Sequence, residues 1–132
     1  MAEHFKYYLI LFLFGFYGYG FLEVLWRGFT HPTMSVAGGI AIIFIDYIST
    51  NLKELHILYR AIICGAFITA IEYIIGYVMN IKLGAEIWDY SLMPLNLSGQ
   101  VCFSFSVLWC AISVPIMLIF GRKKRQKTPY LN

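Results

Sequence analysis

The chain alternates long apolar runs with short polar breaks. Apolar residues run from Tyr7 to Trp26, from Met34 to Ile48, from Tyr59 to Met79 and from Gly99 to Phe120. A helix of about 20 apolar residues matches the ~30 Å hydrocarbon core of a bilayer. The pattern therefore predicts four transmembrane helices and an all-α polytopic membrane protein. The first run follows the polar Met1–Lys6 and is rich in Gly and aromatics. No small-x-small cleavage site follows it, so it reads as a retained helix and not a secretory leader. His31-Pro32 turns the chain after it, because a residue before proline resists the helical region. The second run is short, with Gly38-Gly39 near its start. Pro115 predicts a kink in the fourth by removing a backbone donor. Gly121 then ends that helix ahead of Arg-Lys-Lys-Arg-Gln-Lys. The chain divides into a four-helix membrane domain, 1–121, and a basic tail, 122–132.

The longest break, Asn80 to Ser98, separates the third and fourth runs. Its last part, with Gly99, is Ile-Trp-Asp-Tyr-Ser-Leu-Met-Pro-Leu-Asn-Leu-Ser-Gly. It gathers Asp89, the interfacial aromatics Trp88 and Tyr90, the helix breaker Pro94, the amide Asn96 and a cap-like Ser98-Gly99. Connections this long in a compact domain are usually functional or partly structured. A short interfacial or re-entrant helix is expected here, forming the rim of any binding site.

The two halves are weakly alike. Gly-Phe-Leu-Glu23 leads through a turn to Val-Ala-Gly38-Gly, and Thr-Ala-Ile-Glu72 leads through a longer turn to Leu-Ser-Gly99-Gln. A two-fold parallel repeat with its axis along the membrane normal is the expectation. It makes Glu23 and Glu72 pseudo-equivalent.

Composition sharpens the membrane reading. The 132 residues are 60% hydrophobic and only 13% charged, about half the charge of a soluble domain. The net charge is +3, and five of the ten Lys and Arg lie between Arg122 and Lys127. That is a tail and not a nucleic-acid surface. The basic tail, Lys6, Lys53 and Arg60 outweigh Arg27 and Lys82. This bias puts both termini in the cytoplasm and the Ile87–Gly99 segment outside. The tail reads as a topology anchor, with a lipid-binding patch as the alternative. Cys64, Cys102 and Cys110 lie in apolar runs without CxxC spacing and read as packing residues. His4, His31 and His56 have no ligand spacing, so no metal centre or cofactor is expected. Asn96-Leu-Ser98 fits a glycosylation sequon but abuts a span. There is no GxxxxGK[ST], GxSxG or HExxH, and an enzyme is not expected.

Ionisable groups inside a span cost about 2.5–3.5 kcal/mol at the helix centre on insertion scales, so Glu23, Asp46 and Glu72 are the candidate chemistry. Glu72 shares a face with Ala61, Gly65, Thr69 and Gly76, a small-residue stripe that lets helices approach closely. It reads either as a proton-, cation- or substrate-binding acid or as a hydrogen-bonded lock between helices. Glu23 precedes Arg27 by one turn. The two form an intrahelical ion pair or line a pocket with Glu72. Asp46 lies near the cytoplasmic end and is expected to reach water. The fourth helix has a stripe of its own, Gly99, Cys102, Ser106, Cys110 and Ser113, suited to tight packing. Trp26, Trp88 and Tyr90 sit where an aromatic belt belongs.

Trp88-Asp-Tyr-Ser91, Pro94-x-Asn96-Leu-x-Gly99 and Trp109 form a more specific pattern. With Gly18 to Glu23 and Glu72 followed by Gly76, it resembles the CmpB-like family of small multi-span bacterial membrane proteins described as ABC-transporter permeases. The resemblance covers roughly Phe14 to Ile119. It departs at His31–Gly39, where the family has a longer Tyr-Gly-Pro-type connection. The resemblance implies transport, with a separate ATPase as a partner. Four helices are few for a permease, so a homo-oligomer or another membrane subunit is implied as well. The expected function is a permease subunit of the plasma membrane that binds or passes a small solute or ion. Its expected site is Glu72, Glu23 and Arg27 beneath Trp88, Asp89, Tyr90 and Asn96. The alternative is a structural or regulatory subunit that docks a partner protein without a ligand of its own.

Overall fold

The computed structural model describes residues 2–28 and 30–127. Among the described residues are four α-helices, α1 (Ala2–Arg27), α2 (Pro32–Asn51), α3 (Ile57–Gly76) and α4 (Phe103–Lys127). A π-helical segment, Tyr77–Lys82, prolongs α3. Two short antiparallel strands, β1 (Asn96–Leu97) and β2 (Val101–Cys102), precede α4. Three helices, Glu3–Arg27, Pro32–Asn51 and Ile57–Lys82, are long and apolar enough to cross a membrane. The apolar part of the fourth, Phe103–Ile119, is shorter. The basic run Arg122–Lys127 continues α4, and the end of the basic tail, 128–132, lies outside the described residues.

Local chemistry explains the helix starts. Pro32 occupies the first turn of α2, where its missing N–H costs nothing, and the His31 ring caps the helix by accepting from the Thr33 N–H at 3.2 Å. His56 caps α3 in the same way, from the Leu58 N–H at 3.1 Å. Two of the three histidines are thus helix caps.

The bundle is built around α2, which packs against α1, α3 and α4. Its apolar window is 44% buried, against 22% for those of α1 and α3. Close approach to α1 depends on glycine. A Cβ on Gly38 would lie 2.5 Å from the Tyr19 Cβ, and one on Gly39 would lie 2.6 Å from the Phe12 ring. These glycines are inside α2, not at its start. On the other flank the two small-residue stripes meet. Cys110 lies directly over Gly65, where no side chain fits, and Thr69 and Ser106 share a hydrogen bond of 2.8 Å. An apolar core of Ile45, Ile48, Ala61, Cys64 and Met117 closes the end of the bundle next to the α2–α3 turn. Phe44 stacks on Phe67 beside it at 3.7 Å.

Four expectations change. Gly121 does not end the fourth helix, which runs on to Lys127. The fourth helix starts at Phe103 and not at Gly99, because Gly99 has a φ of +73°, which a helix cannot hold. The expected interfacial or re-entrant helix is absent between 83 and 98; the chain there makes turns and the β1–β2 hairpin. Asp46 does not reach water. It is fully buried because α2 is central, and it accepts a hydrogen bond of 2.8 Å from the Tyr7 hydroxyl of α1.

Candidate functional site

Two of the three buried acids lie towards the end that carries Arg27, Lys82 and the 83–102 connection. Glu23 on α1 and Glu72 on α3 are both buried, 6% and 4% exposed. Tyr19, one turn before Glu23, interacts electrostatically with both carboxylates. Its ring meets Trp109 of α4 at 6.1 Å. The two acids thus border one aromatic-walled region.

Their partners differ. Glu72 is enclosed by donors: the Tyr90 hydroxyl donates to Oε2 at 3.3 Å and the Trp109 indole approaches Oε1 at 3.5 Å. Tyr90 also stacks on Phe105, with ring centroids 4.9 Å apart and planes within 11°. Glu72 therefore ties α3 to α4 and to the connection. Burial, reinforced by the nearby Glu72 carboxylate, pushes the Tyr90 phenol far above its ordinary value, so it stays a donor throughout the neutral range. Glu23 pairs with Arg27, at 3.7 Å through Oε2, and Tyr19 one turn before it interacts with it as well. Its other oxygen, Oε1, is buried and has no hydrogen-bond partner among the described residues.

Arg27 leads outward. Its guanidinium donates to the Ile87 carbonyl and lines an open cavity of about 640 Å³ with Asn80, Glu86, Ile87, Trp88, Asp89 and Gln100. An amide relay builds the cavity wall. Asn80 accepts from the Ile87 N–H at 2.7 Å and donates to the Gln100 side chain at 2.8 Å. The Trp88 indole donates to the Gln100 carbonyl at 2.8 Å. Gly76 leaves room for this wall, since a Cβ there would lie 2.5 Å from the Gln100 side-chain oxygen.

Asp89 and Asn96 serve the connection itself. Asp89 accepts from the Ser91 N–H at 2.9 Å. Asn96 donates to the Ser91 and Met93 carbonyls and accepts from the Gly99 N–H. Ser98 and Gly99 both have positive φ, 56° and 73°, as a type I′ hairpin turn requires. A Cβ on Gly99 would lie 2.9 Å from an Asp89 oxygen, so that glycine is needed twice over.

Of the seven sequence-predicted residues, Glu72 and Tyr90 are in direct contact, as are Glu23 and Arg27. Trp88 and Asp89 line the cavity, and Asn96 is a fold-back residue of the hairpin. Sequence reasoning did not single out Asn80, Gln100 and Tyr19. Asn80 and Gln100 are amides flanking the ends of apolar runs, a signal that was legible; Tyr19 is one of ten tyrosines and had none.

Comparison with known proteins gives one finding. No curated protein and no solved structure matches the chain. A family model does, over residues 9–126, which takes in α1 from its second turn, the cavity, the hairpin and nearly all of α4. The chain belongs to that family, described as "Putative ABC-transporter type IV".

Proposed function

We propose that this protein is a permease-type subunit that binds or passes a small cationic solute or ion, with the Glu23 carboxylate as its binding group. One observation carries the reading: Glu23 Oε1 is buried with no hydrogen-bond partner among the described residues, beside an arginine that lines an open polar cavity. A buried acceptor without a donor costs about 1–3 kcal/mol, more when charged. An occupant that donates to it, a proton or a cation, removes that cost. Charge supports the same class of ligand. Glu86 and Asp89 on the cavity wall outnumber Arg27, and Glu23 stands behind it; a concave site of net negative charge concentrates cations.

In this reading Arg27 is a tethered cation that the ligand exchanges for. Glu72 keeps the shape of the site through Tyr90 and Trp109, and Asn80, Trp88 and Gln100 form the mouth. The activity is binding and passage, with no reaction catalysed by the chain. The Lys and Arg bias supports a plasma-membrane orientation with both termini cytoplasmic and the cavity outside. The family assignment, with no nucleotide-binding loop in the sequence, supports a separate ATPase. A second copy or another membrane subunit completes the pathway.

The test is a fluorescence titration of the protein in nanodiscs, read from its tryptophans, with sodium, potassium and methylammonium chlorides. The expected result is a saturable change with at least one cation, lost in Glu23→Gln and kept in Glu54→Gln at the opposite end. Identical responses from wild type and Glu23→Gln overturn the assignment.

A second reading, a structural or regulatory subunit that docks a partner, rests on Glu72. Both its oxygens already meet donors, as an acid serving packing requires. Recovery of a stoichiometric ligand-free complex with another protein favours that reading.

A further inference from the structure

Four aromatic rings surround the two acids of the candidate site. Tyr90 stacks on Phe105 with ring centroids 4.9 Å apart. Phe105 meets Trp109 at 6.3 Å, and Trp109 meets Tyr19 of α1 at 6.1 Å. Tyr19 and Tyr90 both pack on the small core of Met34, Ile87 and Trp88, which completes the circuit. All four rings are half-buried, whereas Glu23 and Glu72 are buried. The helix arrangement explains the opening. Among the described residues α1 packs extensively on α2 alone, and the Tyr19–Trp109 pair bridges the space between α1 and α4.

The chemistry of this wall selects among cations. A hard metal ion needs several oxygen ligands, about six to eight for calcium. Here the two Glu72 oxygens already meet the Tyr90 O–H and the Trp109 N–H, and Glu23 Oε2 meets Arg27. Of these four oxygens only Glu23 Oε1 has no partner among the described residues. One oxygen suits one N–H donor, and the neighbouring wall is aromatic. An ammonium ion with carbon substituents uses both. Its N–H goes to the carboxylate, and its positively polarised N-alkyl groups are attracted to the rings by the cation–π interaction.

We propose that the ligand at Glu23 is an organic ammonium ion, its N–H donating to Glu23 Oε1 and its carbon substituents lying against Tyr19, Tyr90, Phe105 and Trp109. The inference rests on Glu23 as the binding group and adds the class of cation. It also gives Glu72 a defined part, because the two donors that Glu72 holds, Tyr90 and Trp109, are rings of the cage.

The experiment is a calorimetric titration of the full chain in nanodiscs at neutral pH with benzyldimethylammonium, methylammonium and potassium chlorides, with empty nanodiscs subtracted. Both ammonium ions carry an N–H and a single charge, and they differ in their carbon substituents. Benzyldimethylammonium should bind about tenfold or more tightly than methylammonium, the scale of one or two cation–π contacts, and potassium should bind most weakly. Tyr19→Leu and Phe105→Leu should each reduce that preference about threefold or more, and Tyr19→Phe, which keeps the ring, should retain it. Equal affinity for the two ammonium ions, or a preference that survives both leucine substitutions, overturns the aromatic site and leaves Glu23 standing as the binding group. Absence of binding by all three ions overturns both readings. If a leucine variant does not fold, Glu23→Gln locates the preference. It should abolish binding of both ammonium ions, and benzyldimethylammonium binding that survives it overturns the proposal.

Discussion

Glu23 and Glu72 are the same residue type at the same end of the bundle, yet their surroundings give them different work. Glu72 has donors on both oxygens, so Glu72→Gln turns an amide donor towards one of them. The expected cost is about 1–3 kcal/mol, read as a lower melting temperature in detergent. Glu23→Gln loses a partly exposed pair to Arg27, which on the exposed-pair scale is worth under about 1 kcal/mol. Its melting temperature should fall by no more than that margin, because removal of the buried, unpartnered charge acts in the opposite direction. Tyr90 sets a pH dependence. A phenol held protonated in the folded chain and free to ionise near pH 10 when unfolded supports the fold below that pH. Its contribution is lost as pH rises above it. Melting temperature should therefore fall above about pH 10, and more gently in Tyr90→Phe. That both acids matter was legible, because burying a carboxylate in a span needs a reason. Which of the two is satisfied was not. The donors to Glu72 come from 18 and 37 positions away, and only the folded bundle brings them together.

The helices follow their sequence patterns closely. Spacing gave α3 and α4 a small-residue stripe each without pairing them; in the structure Gly65 and Thr69 of one meet Cys110 and Ser106 of the other. The Gly65–Cys110 contact makes this testable. Gly65→Val must push the two helices apart, an overpacking cost of about 1–3 kcal/mol, seen as a lower melting temperature with normal membrane insertion. The connection was read less well. Its length and its Trp-Asp-Tyr-Ser and Asn-Leu-x-Gly block marked it as structured, but a helix was expected. Pro94 and the positive φ at Leu95, Ser98 and Gly99 exclude one, and such backbone angles are written only partly into residue types. Gln100 is the keystone of this element, meeting Asn80 and Trp88 together. Gln100→Ala keeps the carbonyl that holds the Trp88 indole but removes the side-chain acceptor of Asn80; the melting temperature should fall by the equivalent of about 1 kcal/mol.

For the whole molecule, hydropathy predicted the membrane class and the four helices, and the family match over residues 9–126 agrees with the motif resemblance. The central place of α2 was not legible: it is the shortest of the four apolar runs, and its position follows from the glycine contacts with α1 and from Asp46 under Tyr7. The proposed two-fold repeat finds Glu23 and Glu72 buried at one end, but Gly38 lies within α2 while Gly99 lies in a turn. The central claim, that Glu23 and not Glu72 is the binding group, is tested most directly by native mass spectrometry. Wild type, Glu23→Gln and Glu72→Gln would be extracted side by side from the membrane in which they are expressed. A reproducible small cationic adduct on wild type, lost in Glu23→Gln and retained in folded Glu72→Gln, is the predicted result. An adduct that survives Glu23→Gln, or none on any of the three, contradicts it.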